Sequence, residues 1–170
     1  MRGKLAIAVL AASVVAPALA SPLRAQVFSS HHRPVRPLLA LAVNDLSFGT
    51  VLPGIPSSVS VRDPRRAGLF EIQGPRNASV RIEFVLPTAL TSEQGAQMPI
   101  SFGHGDGFAD FSRGRPPRGR AFDPHAPVIE SLGPNGRLYV RIGGTVRPGR
   151  PQASGTYSAT IALTIYNLGS

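Results

Sequence analysis

Cysteine and tryptophan are absent from the 170 residues, and lysine occurs once, at Lys4. Without cysteine the chain has no disulfide framework, no thiolate nucleophile and no zinc-ribbon spacing, so its stability must come from a packed core. Without tryptophan, and with only 9 acidic residues, it shows neither a sugar platform nor the paired carboxylates of a glycosidase. No serine stands in a Gly-x-Ser-x-Gly elbow, and no phosphate loop or dinucleotide fingerprint occurs. Long helices are disfavoured by 18 Gly and 17 Pro, while a 42% hydrophobic content argues against wholesale disorder.

What is present begins with the first twenty residues. Arg2 and Lys4 precede an uncharged run from Leu5 to Val15, followed by Ala18-Leu19-Ala20. A basic start, an apolar stretch of this length and a small-x-small end predict a secretory signal peptide over 1–20, cleaved after Ala20, with Ala18 as the alternative position. The stretch is shorter than the roughly 20 residues a membrane helix needs, and no later segment is long enough, so no transmembrane anchor is expected after cleavage. The destination expected is the periplasm, the cell surface or the extracellular medium.

Removing Arg2 and Lys4 leaves 16 basic against 9 acidic residues, a net charge of +7, with every remaining basic side chain an arginine. The densest cluster is "SRGRPPRGR", carrying Arg113, Arg115, Arg118 and Arg120. Arg113-Gly114-Arg115-Pro116 matches the core of an AT-hook, but an exported chain meets anionic surface polymers or lipid headgroups rather than a genome. The reading is a basic surface loop, with no specific nucleic-acid partner.

Residues 21–37 ("SPLRAQVFSSHHRPVRP") are polar, basic and marked by proline, which predicts a flexible arm. From residue 38 the pattern has period two. Leu39, Leu41 and Val43 share one face of an extended segment, with Leu38, Ala40 and Ala42 on the other. Leu46, Phe48 and Val51 alternate before Pro53-Gly54, and Val59 and Val61 alternate with serine and arginine before Asp63-Pro64. Phe70 and Ile72 oppose Glu71, and Val80, Ile82, Phe84 and Leu86 oppose Arg81 and Glu83. "MPISFG" is a further short strand. Leu138, Val140 and Ile142 oppose Arg137, Tyr139 and Arg141 before a bend at Gly143-Gly144. Tyr157, Ala159, Ile161, Leu163 and Ile165 line one face of the last segment. Seven or so such ribbons cannot bury their apolar faces singly. Two sheets face to face solve that, so residues 38–170 are predicted to form one antiparallel β-sandwich of immunoglobulin-like type, with a closed barrel as the other solution. Residues 103–127 are read as a Gly/Pro/Arg-rich insertion in which Phe108, Phe111 and Phe122 could pin the loop to the body.

The four histidines are His31 and His32 on the arm and His104 and His125 in the insertion. "GHGDGFAD" gathers His104, Asp106 and Asp110 but lacks the spacing and distal glutamate of an EF-hand, so it reads as a turn-forming loop. No catalytic residue, cofactor or metal is predicted, and the chain is read as non-enzymatic.

The stretches "LSFGTVLPGIPSSVSV" (Leu46 to Val61) and "VRIGGTVRPGRPQASGTYSATIALTIYN" (Val140 to Asn167) carry a resemblance, supported by "GLFEIQGPRNASVRIEFVLPTAL". Together they resemble a family of uncharacterised bacterial exported domains related in pattern to spore coat protein U and to fimbrial subunits, over about Asn44 to Asn167. The resemblance implies an exported immunoglobulin-like sandwich with no site residues to carry over; the arginine-rich insertion departs from it. Similarity to fimbrial subunits implies a sandwich missing one strand, completed by an arm from a neighbouring copy through strand addition. That gives a pilus- or coat-like structural subunit with homo-oligomeric partners and an assembly chaperone. The expected donor is Val35 to Val43, with Leu39, Leu41 and Val43 as plugs, and the acceptor edge runs beside Thr160 to Tyr166. The rival expectation pairs Leu38 to Val43 within its own domain, giving a self-complete exported module that contacts anionic surface polymers.

Overall fold

A computed structural model describes residues 36–112 and 119–169, together with the backbone of residues 2–9. Every regular element in it is a strand: β1 Arg2–Val9, β2 Leu39–Asn44, β3 Ser47–Thr50, β4 Ser57–Val59, β5 Gly68–Gln73, β6 Ser79–Val85 and β7 Ala89–Ser92. They continue with β8 Gln97–Ser101, β9 Gly107–Asp110, β10 Arg120–Phe122, β11 Val128–Ser131, β12 Arg137–Ile142, β13 Gly144–Val146 and β14 Thr156–Gly169. One sheet runs β10-β9-β12-β5-β2, antiparallel throughout. The other runs β11-β6-β14-β7-β8-β13-β4, with β1 and β3 added beyond the opposite edge of β14. The chain is an antiparallel β-sandwich, as its two-residue periodicity requires.

The core consists of the residues that alternate inward. Phe70, Ile72, Leu138, Val140 and Ile142 come from one sheet; Val80, Ile82, Tyr157, Ile161 and Leu163 come from the other, all at most 1% exposed. Leu46 and Phe48 are buried where the chain passes from β2 in one sheet to β3 in the other. A second crossing lies at Gly143, between β12 and β13. A Cβ there would sit 2.5 Å from the Val59 carbonyl oxygen and 3.0 Å from the Val61 nitrogen, so only glycine lets the backbones approach this closely.

The expected insertion over 103–127 contributes two short strands to the five-stranded sheet, Gly107–Asp110 and Arg120–Phe122. β9 pairs with β12, and β10 pairs with β9, extending the five-stranded sheet. Phe108 and Phe122 are buried and Phe111 is half exposed, so two of the three aromatics pin this segment. Phe122 stacks on Phe84 with centroids 6.2 Å apart, and Phe84 meets Phe70 edge to face at 5.8 Å, joining the two sheets.

Candidate functional site: a strand-wide slot beside β14

β14 is the longest strand. Along one edge it pairs with β6 over Ala162 to Gly169 and with β7 at Tyr157 and Ser158. Its other edge, Thr156 to Leu163, pairs with β1 in parallel, in the unbroken register Arg2↔Thr156 to Val9↔Leu163. β1 then pairs antiparallel with β3 through Arg2↔Thr50, Gly3↔Gly49 and Lys4↔Ser47, with an irregularity between Gly3 and Lys4. β14 and β3 therefore bracket one strand and do not pair with each other. At about 4.8 Å per strand spacing, the bracket is roughly 10 Å wide.

The β14 wall is two-faced. Tyr157, Ile161 and Leu163 are fully buried and Ala159 half-buried, while Thr156, Ser158 and Thr160 are exposed. Its lower end is tied down through Tyr157, whose hydroxyl donates to the Ala153 carbonyl at 2.7 Å and accepts from Gln152 Nε2 at 2.8 Å. The same Gln152 amide reaches the Gln97 carbonyl at 3.0 Å. On the facing wall Phe48 of β3 is buried. In this register, positions 3, 5, 7 and 9 of the occupant pair with Tyr157, Ala159, Ile161 and Leu163. The residues there are Gly3, Leu5, Ile7 and Val9. The smallest stands opposite the largest wall residue, and a leucine stands opposite the alanine.

The occupant is the segment that the sequence reads as the start of a signal peptide; the rest of that peptide and the cleavage position lie outside the described residues. Period-two alternation of Leu5, Ile7 and Val9 serves a strand as well as an apolar leader, and that signal was available in the sequence.

The expected plugs Leu39, Leu41 and Val43 lie in β2, paired antiparallel with β5 of the same chain. Leu39 and Leu41 are 45% and 40% exposed, whereas Ala40 between them is buried at 7%, so the larger residues take the outer face and the alanine the core. This is the pairing within one domain that the rival expectation describes. The expected acceptor edge, Thr160 to Tyr166, overlaps the β1-paired edge from Thr160 to Leu163.

Arg113, Arg115 and Arg118 lie outside the described residues. Arg120 is in β10, where its Nε and Nη2 donate to Glu130 Oε1 of β11 at 3.1 and 2.6 Å. The pair links the edge strands of the two sheets, and Arg120 is thereby part of the frame, with its charge matched.

His104, Asp106 and Asp110 are not brought together around a common point. His104 Nδ1 lies 2.5 Å from Asp123 Oδ2, Asp106 Oδ2 accepts from the Gly103 amide at 2.6 Å, and Asp110 accepts from the Ser112 amide and hydroxyl. The Asp123 carboxyl is held below its ordinary range, first by the His125 amide and then by His104. A groove of about 440 Å³ carries both Ser101 and His125. The Ser101 hydroxyl faces the Thr145 carbonyl, however, and His125 Nε2 faces the Phe102 carbonyl at 3.0 Å, so the two are not a nucleophile and its base.

On the outer face of the five-stranded sheet, Glu71, Asp110 and Arg141 are buried. Glu71 accepts from Gln73 Nε2 at 2.8 Å and pairs with Arg137. Alternation alone marks these positions as outward and gives no sign that they are buried. Comparison with protein-family models, with curated proteins and with solved structures finds no match to this chain.

Proposed function

We propose that this chain is a non-enzymatic, exported structural protein of the cell surface, joined to its partners by β-strand addition at the slot between β14 and β3. The observation that carries the reading is the source of the strand in the slot. It is supplied by residues 2–9, the part of the chain with the features of a removable leader. Export with cleavage would leave two strand edges facing each other across a strand-wide gap, with Tyr157, Ile161, Leu163 and Phe48 at its walls. Unpaired main-chain groups and apolar side chains at such an edge select an extended peptide with alternating apolar residues. The donor in this reading is not β2, which is already in register with β5.

The test compares a chain of residues 21–170 with one of residues 36–170, alone and with synthetic peptides of sequence 2–9 or 21–28. The shorter chain is expected to melt roughly 10 °C lower, because two or more apolar positions worth about 1.5–3 kcal/mol each go unfilled. A strand peptide should restore most of the loss. If the 36–170 chain were as stable as the longer one and bound neither peptide, strand addition would be ruled out.

A further inference from the structure

We propose that in the leaderless chain Ser21 to Val27 docks in the slot of its own chain, parallel to β14, in the place that Gly3 to Val9 takes in the structure. The inference rests on the strand-addition reading of the slot and adds which segment occupies it at rest.

The occupant pairs Gly3 with Tyr157, Leu5 with Ala159, Ile7 with Ile161 and Val9 with Leu163. Shifting the occupant by eighteen positions puts Ser21, Leu23, Ala25 and Val27 at those four places. Small residue, leucine and valine recur at the first, second and fourth places, as in Gly3, Leu5 and Val9. The alternate positions become Pro22, Arg24 and Gln26, at register positions beside the exposed Ser158 and Thr160 and the half-buried Ala162. Proline has no N–H to give a ladder and is tolerated at a strand's start or at a bulge. Pro22 falls at the place of Lys4, where the pairing with β3 is already irregular.

Chain reach permits docking within one molecule. Leu39 pairs with Gln73, and the Gly74–Ala78 turn leads directly to Ser79, which pairs with Gly169. From the level of Leu163 to that end is six residues, about 20 Å along the strand, plus about 10 Å between sheets. Residues 28–38 can span roughly 36 Å when extended. A tether of this length holds its strand at an effective concentration in the millimolar range, so at micromolar protein the chain's own segment outcompetes a neighbour's. An incoming strand must therefore displace a resident one.

The absence of native cysteine makes the test clean. In residues 21–170, Arg24→Cys and Thr160→Cys stand directly opposite each other in the proposed register. Mild oxidation with glutathione disulfide is expected to give a monomer with an internal disulfide, at a yield independent of protein concentration. Pairing Arg24→Cys with Thr164→Cys, four residues out of register, is expected to give little. A disulfide-linked dimer on mixing the two single-cysteine chains, with no internal link in the double variant, would overturn the proposal in favour of a neighbour's strand. No link in either experiment would also overturn it. Peptide binding to the 36–170 chain would then show whether strand addition itself survives: capture of peptide 2–9 keeps that reading without this occupant, and no capture removes both.

Discussion

The two flanks of the sandwich are closed by different means. At one flank, β10 and β11 are neighbours in sequence, and side chains bridge them: Arg120 pairs with Glu130, and Phe122 stacks on Phe84 against Phe70. At the other, β14 and β3 are more than a hundred residues apart and do not pair; a strand from the far N-terminal end lies between them. A flank sealed by side chains from adjacent segments is complete whenever the domain folds. A flank sealed by a distant strand is complete only while that strand is present, which makes it the side whose closure depends on one segment.

Truncating one buried side chain on each flank, with and without a strand in the slot, would break or sharpen this contrast. Phe122→Ala should cost about 3–5 kcal/mol and Leu163→Ala about 2–5 kcal/mol, since both side chains are buried. The discriminating quantity is the coupling to the occupant. In a double-mutant cycle against removal of residues 1–35, Leu163→Ala should couple by about 1 kcal/mol and Phe122→Ala by nearly nothing, because only Leu163 pairs with the added strand. Equal coupling in the denaturant midpoints would mean that the flanks are not independent.

Gly143 serves neither flank; it lets the chain change sheets. Gly143→Ala puts a methyl into the Val59 carbonyl and should cost about 1–3 kcal/mol by overpacking. Chemical denaturation should show the same loss with an occupied or an empty slot. A loss confined to one of the two states would tie the crossing to the slot after all.

The contrast also explains which parts of the fold the sequence made legible. The alternating runs around Val80 to Leu86, Leu138 to Ile142 and Tyr157 to Ile165 declared both strand and core, because each strand has one clearly apolar face. β2 was legible as a strand but ambiguous in face. Leu39 and Leu41 outweigh Ala40 in hydrophobicity, yet it is Ala40 that is buried in the core. β9 and β10 were hidden by glycine. Gly119 reads as a loop residue, but a Cβ there would sit 2.2 Å from the Ala109 carbonyl oxygen, so the glycine permits close approach inside a hairpin. The slot's position was half legible: the final strand's alternation marked an acceptor edge, while the strand occupying it was read as a leader. A short uncharged run that alternates leucine, isoleucine and valine with alanine satisfies both a translocation signal and a sheet, and local pattern cannot separate the two.

A smaller effect belongs to Arg120. Its guanidinium is largely exposed and its partner Glu130 mostly covered. Arg120→Ala should therefore cost only about 0.2–1 kcal/mol, and the difference from wild type should shrink as salt is raised. A salt-independent loss would point to lost packing of the arginine stem rather than lost charge. Either way the sealed flank should hold, because the aromatic stack remains.

The smallest predicted effect tests a turn away from both flanks. Asp63 ends the segment after β4; its Oδ2 accepts from Arg66 Nε at 2.7 Å, and its Oδ1 accepts from the amides of Arg65 and Arg66 at 3.0 and 3.2 Å. These contacts, the Arg66 side chain foremost, hold the carboxyl below its ordinary range. A folded-state value below the unfolded one means that the ionised form stabilises the fold. The contribution is fully present above the unfolded carboxylate range near about pH 4 and is lost as pH falls through the folded value. Asp63→Asn should thus lower the melting temperature slightly at pH 7, and the gap from wild type should close below pH 4. Because the site is open to water, the shift should be small and should shrink in high salt. A gap that stayed constant from pH 7 to pH 3 would show that the turn is held by the side chain's shape and amide contacts alone, with no part played by its charge.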